Sequence, residues 1–135
     1  MRHASHRGIS IIEIVIALVL FLGAGAGIVA AHLYSHRLSD DATNAMRAVN
    51  DLDDLMECIQ ATSFANLPTV FPAGVMDGVG GAYAGMVGGY TLNGERMTVT
   101  YPSQVSGRVE MLVTLNWIQQ GRLRTERSSI VRTSG

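Results

Sequence analysis

The chain has 135 residues, enough for one domain of ordinary size and too few for a second independent core. Hydrophobic residues make up 47% and charged residues only 16%, against roughly 25% charged in an ordinary soluble domain, so one segment must be unusually apolar and an intrinsically disordered chain is excluded. Ten Arg and no Lys against eleven acids give a formal charge of -1, which leaves no basic surface for nucleic acid, and one cysteine, Cys58, excludes an intrachain disulfide.

The apolar excess is concentrated near the start. Residues 14–31, IVIALVLFLGAGAGIVAA, carry no charge, and residues 9–12 extend the run behind a single interruption, Glu13. A helix of about 20 apolar residues crosses a hydrocarbon core of roughly 30 Å, so residues 9–31 are expected to span a membrane. Arg2 and Arg7 precede the run, whereas Arg37 follows it in the company of Asp40 and Asp41. Positive charge before the span predicts a cytoplasmic N-terminus and a C-terminus on the far side. A secretory signal would have a shorter apolar core and a small-residue cleavage site. Here the run continues into a polar helix, as an anchor that is kept would.

Glu13 is the anomaly, because a charge at the centre of a span costs roughly 2.5 to 3.5 kcal/mol on insertion scales. Two accounts are open. Glu13 lies near the interface, or is protonated, and needs no partner; or a nearby cation neutralises it. Cleavage after Gly8 would create such a cation, the α-ammonium of Ile9, four residues away on the same helix face or supplied by a neighbouring subunit.

The residues Arg7-Gly8-Ile9-Ser10-Ile11-Ile12-Glu13-Ile14-Val15-Ile16-Ala17-Leu18 resemble the class III signal of type IV pilins and type II secretion pseudopilins. That family has a short basic leader ending in Gly, an apolar first mature residue, Glu as the fifth mature residue and a continuous apolar helix. The resemblance implies a leader over residues 1–8, cleavage by a prepilin peptidase between Gly8 and Ile9, N-methylation of Ile9, and an assembly salt bridge made by Glu13. Ile9 stands where Phe is most often found, and the proline usual late in the apolar helix is missing at about Ala30.

Gly23, Gly25 and Gly27 occupy alternate positions in the middle of the span, and each costs about 1 kcal/mol relative to Ala in a helix interior. The helix is expected to be weakest there. Gly23 and Gly27 could instead form a small-xxx-small packing face, and Gly is in any case common in membrane helices. The family resemblance adds local melting during transfer from bilayer to filament.

Beyond the span, Leu38, Ala42, Ala45, Met46, Val49, Leu52, Leu55, Met56 and Ile59 recur at steps of three and four, the period of an amphipathic helix. Asp40, Asp41, Asp51, Asp53, Asp54 and Glu57 are expected on its solvated face. No Pro or Gly interrupts residues 28–63, so one helix is predicted over residues 9–62, roughly 80 Å long, with 32–63 as its extracytoplasmic half. His32, His36 and Asp40 could share a face, but no closing fourth donor is visible and no metal site is assigned. Cys58 lies beside Met56 and Ile59 as a small hydrophobe.

Residues 64–95 are predicted to be a Gly-rich loop, with eight glycines between Gly74 and Gly94, too poor in apolar surface to order itself. Tyr83 and Met86 are expected to pack on a neighbour. A phosphate-binding role fails, because no strand precedes the glycines and no Lys-Ser/Thr pair opens a helix after them. Strand patterning starts at Met97: Met97, Val99 and Tyr101 alternate with threonines, and Val109, Met111, Val113, Leu115 and Trp117 alternate with Glu110, Leu112, Thr114 and Asn116. Gln119-Gln120-Gly121 is a short connection to a third strand, Arg122 to about Val131, while Pro102 to Gly107 joins the first strand to the second.

The expected fold is therefore α+β, a long N-terminal helix packed against an antiparallel sheet of three to four strands over residues 96–135. Tyr90-Thr91-Leu92, Thr98-Val99-Thr100-Tyr101-Pro102 and Val113-Thr114-Leu115-Asn116-Trp117, ahead of Gly121-Arg122 and Thr125, resemble the sheet region of minor pilins of the PilV sort and of minor pseudopilins. The two resemblances imply a structural subunit that enters or primes a pilus or secretion pseudopilus. Its implied partners are other pilin or pseudopilin subunits, a prepilin peptidase, an inner-membrane assembly platform and membrane lipid, with no cofactor and no nucleic acid. A membrane-tethered binding module would share the anchor and sheet but has no need for Gly8 and Glu13 at that spacing. An enzyme would need a nucleophile or base constellation, and none can be assembled from the extracytoplasmic residues.

Overall fold

The structure, a computed structural model, describes residues 10–134. Its first element is α1, Ile11–Ala61, an unbroken helix of 51 residues. By contact the chain divides into two compact units, Met1–Asp40 and Asp41–Gly135. In the first, α1 is long and apolar enough to cross a membrane, and its apolar side chains from Ile11 to Val29 are exposed within the chain itself. Among the described residues, no part of the chain covers that surface. The helix runs through Gly23, Gly25 and Gly27 without a break.

The second unit holds the sheet. A 3-10 turn, Phe64–Asn66, and a short helix α2, Leu67–Val70, follow α1. Four strands then form one antiparallel sheet in sequence order: β1 Met76–Asp77, β2 Arg96–Val105, β3 Arg108–Gln119 and β4 Arg122–Thr133. The long helix packed on this sheet is the α+β arrangement that the alternating patterns predict. Met97 and Val99 of β2 and Met111, Val113, Leu115 and Trp117 of β3 face Ala48, Leu52, Leu55, Met56 and Ile59 of α1. The two periods, 2 along the strands and 3.6 along the helix, bring all of these side chains to one interface.

Four expectations change. The apolar stripe of the outer helix is covered only from Ala48 onward, and Leu38, Met46 and Val49 are exposed. Asp51, expected in solvent, is 8% exposed. The first predicted strand does not end before Pro102. β2 runs on to Val105 through a register shift between Thr100 and Ser103, where the missing proline N–H costs the ladder nothing. A two-residue turn, Ser106-Gly107, then closes the β2–β3 hairpin.

The Gly-rich loop is the fourth. It contributes β1, which pairs Met76 with Thr98 and Asp77 with Met97, and it places Tyr83, Val87 and Leu92 in the core of its own domain. Tyr83 is therefore not left for a neighbour, and its ring lies 5.8 Å from that of Phe71, while Met86 packs against the same core.

The β3–β4 turn, Gln120-Gly121, has both residues at positive φ, 51° and 73°. Two positive φ values give the primed turn whose twist matches the flanking strands. Gln120 is the one non-glycine residue with positive φ among the described residues. Its side chain and that of Gln119 both donate to Asp41 Oδ1, at 3.0 and 2.6 Å, tying the hairpin tip to the helix.

Candidate functional site

Gly8 and Ile9, the expected cleavage and methylation positions, lie outside the described residues. Glu13 occupies the first turn of α1. Its Oε2 accepts the Ser10 backbone N–H at 3.2 Å, and Ser10 Oγ accepts the Ile12 N–H at 3.4 Å. Ser10-x-x-Glu13 is thus the capping pair of α1, the carboxylate reaching back to the residue that precedes the first helical turn. This role was legible in the sequence as a Ser followed three residues later by Glu ahead of an apolar run. A capping carboxylate keeps a second oxygen, so capping and an ion pair do not exclude each other. A shallow apolar depression formed by Ile14, Ala17, Leu18 and Phe21 borders Glu13.

Gly23, Gly25 and Gly27 lie on the same helix, beginning about 15 Å along the axis from Glu13 at 1.5 Å per residue. A Cβ added at any of the three would meet nothing within 4 Å. No packing inside the chain requires them to be glycine. His32 and His36 stack edge to face with their Nε2 atoms 3.2 Å apart. Among the described residues no group of three or more His, Cys, Asp or Glu side chains is placed to hold a metal ion. Cys58 is a free, half-buried thiol against the core.

In the second unit, two carboxylates organise the glycine-rich segment, and sequence reading missed both. Asp77, at the end of β1, accepts the Ala82 N–H at 2.9 Å through Oδ1, and the Tyr83 N–H at 2.8 Å and the Tyr90 hydroxyl at 2.7 Å through Oδ2. Gly81 passes so close beneath this carboxylate that a Cβ there would overlap it. Burial first, and then the bond to Asp77, push the Tyr90 phenol upward, and burial with the Asp77 charge raises Tyr83 to about 12. Both phenols stay protonated at any physiological pH.

Glu95, 1% exposed, precedes β2 and accepts the Thr91 and Leu92 N–H groups through Oε2, at 2.9 and 2.8 Å. Its Oε1 is buried and has no partner, and the same is true of Oδ2 of Asp51 on α1. Burial first, then the neighbouring Glu95 carboxyl and the charge of Asp54, raise Asp51 to about 7, against a smaller downward pull from Arg47. The signal in the sequence was Gly94-Glu95 after Leu92, a turn with its own acceptor, but spacing alone could not place a helix carboxyl against it.

At the other end of the domain, Trp117 Nε1 donates to Gln119 Oε1 at 3.2 Å, and Gln119 in turn donates to Asp41. An open groove of about 480 Å³ lies over this relay, bordered by Ala45, Arg124 and Glu126. At the far end of the helix, Arg132 Nη2 donates to the Thr62 carbonyl at 3.0 Å, satisfying an acceptor next to the C-terminus of α1. Buried carboxylates and side-chain caps hold this domain together. Comparison with protein-family models, with curated proteins and with solved structures found no match.

Proposed function

We propose that this protein is a minor pilin or pseudopilin, a structural subunit that is cleaved by a prepilin peptidase and then enters or primes a type IV pilus or type II secretion pseudopilus. The observation that carries the proposal is the basic leader, Gly8, Ile9 and Glu13 in register with a helix whose large apolar side chains from Ile11 to Val29 are exposed within the chain. Such a surface has to be covered in two settings, by lipid before assembly and by neighbouring helices after it. Glycines at 23, 25 and 27 with open space around them fit both, because they allow close approach by a partner helix while demanding nothing inside the chain.

In this reading the chain inserts once into the inner membrane with residues 1–8 in the cytoplasm and the sheet domain outside. Cleavage removes Arg2 and Arg7 and frees the Ile9 ammonium. Glu13 then neutralises the ammonium of an adjacent subunit in the apolar layer, and the pair sets the axial register of one helix on the next. The sheet domain supplies the surface that meets other subunits. N-terminal sequencing of the native protein tests the proposal directly. A chain beginning at Ile9 is the expected result; one that still begins at Met1, or that starts near Ala31, overturns it.

A further inference from the structure

We propose that Asp51 and Glu95 share a single proton, which latches α1 to the turn entering β2, so that the domain loosens its hold on the helix as the surrounding solution becomes alkaline. Both carboxyl groups are more than nine-tenths buried, and each has one oxygen, Asp51 Oδ2 and Glu95 Oε1, without any other hydrogen-bond partner. Two carboxylates can each leave an acceptor unsatisfied side by side only at a large desolvation cost, whereas one proton between them converts both orphans into a single O–H to O hydrogen bond. The placement of that proton follows from the remaining contacts. Glu95 Oε2 already accepts two backbone N–H groups, and Asp51 is the carboxyl that burial and its neighbours raise, so the proton is placed on Asp51 and Asp51 donates.

The other groups around the pair act in the same direction or weakly against it. Asp54, on the same helix, adds negative charge and Arg47 opposes it with a smaller effect, while Tyr90 from the loop stays neutral. The folded-state value for Asp51, about 7, lies above its ordinary 3.8, so the folded domain holds the proton where the unfolded chain has lost it. The stabilisation is complete below about 4, declines as pH rises, and is gone once pH passes about 7. Asp51 sits mid-helix and Glu95 anchors Thr91 and Leu92. The lost proton therefore frees the segment that carries Leu92 into the core.

The test uses the full-length protein in phospholipid nanodiscs and two near-isosteric variants, Asp51→Asn and Glu95→Gln. Asp51→Asn replaces the shared proton with a permanent amide N–H and removes the titration, whereas Glu95→Gln removes the Glu95 charge and offers Asp51 a donor, which moves the titration of Asp51 to lower pH. Hydrogen exchange of the Thr91 and Leu92 amides, corrected for the intrinsic pH dependence, should lose protection in the wild type by up to about tenfold per pH unit on approach to 7, the most a single proton can give, and level off above it. Asp51→Asn should give a flat profile, and Glu95→Gln a decline shifted to lower pH. Infrared difference spectra at pH 6, wild type minus Asp51→Asn, should show a protonated-carboxyl band that disappears by pH 8.5, and the Glu13 contribution cancels in the subtraction. A wild-type profile as flat as that of Asp51→Asn, or a difference spectrum without the band, overturns the proposal.

Discussion

Glu13 caps α1 and, in the proposed reading, also pairs with a neighbour's ammonium, and two substitutions divide the two roles. In Ser10→Ala the Ile12 N–H loses its Ser10 Oγ acceptor, which costs the helix start about 0.5 to 2 kcal/mol, but the charge of Glu13 remains. In Glu13→Gln the side chain can still reach the Ser10 N–H, since Gln serves at this position of a capping box, but the charge is gone. Removing the charge also lowers the cost of residing in lipid, by up to roughly 2.5 to 3.5 kcal/mol if the residue is central, so insertion should improve. If Glu13 pairs with a neighbour's ammonium, the unpaired ammonium left behind costs about 3 to 5 kcal/mol, a loss of roughly a hundredfold to several thousandfold in incorporation. Crosslinking of membrane-resident protein to its filament neighbours reads this out. The expected order is wild type, then Ser10→Ala slightly reduced, with Glu13→Gln near background although cleaved and folded. If Glu13→Gln incorporates as well as wild type while Ser10→Ala is impaired, Glu13 is a cap alone and the ion-pair account is refuted.

Three further outcomes are expected. Intact mass of the native protein should correspond to a chain starting at Ile9, with eight Arg left against eleven acids, and a methyl group on its amine. Asp77→Ala should orphan two backbone N–H groups and the Tyr90 hydroxyl, destabilising the domain by about 2 to 5 kcal/mol in urea denaturation and leaving α1 helical by circular dichroism. Gly81→Ala should reproduce part of that loss, about 1 to 3 kcal/mol, because its methyl group displaces the Asp77 carboxylate; unchanged stability would mean that Asp77 does not order the segment.

The sequence by itself determined the elements whose signal is local. The apolar run without Pro required one uninterrupted helix, and α1 is that helix. Strict alternation from Val109 to Trp117 placed Met111, Val113, Leu115 and Trp117 on one face, and all four are buried. Gly121 after Gln120 marked a hairpin turn, which the two positive φ values bear out. Periodicity and turn chemistry act over a few residues, so they can be read without knowing where the rest of the chain goes.

Tertiary structure alone decided the fate of the carboxylates and of the glycines. Asp51 lies between residues that read as a solvated acidic face, yet it is buried because the turn carrying Glu95 folds over that point of the helix. Asp77 turns a glycine-rich stretch into an ordered segment by accepting donors spread from Ala82 to Tyr90. Its local composition reads as too poor in apolar surface to order itself, and three hydrogen bonds to Asp77 together with the seating of Tyr83, Val87 and Leu92 in the core, all non-local contributions, overturn that reading. A carboxylate reads as polar in sequence wherever it stands; only the arrival of N–H donors, or of a second carboxyl with a proton to share, makes its burial favourable.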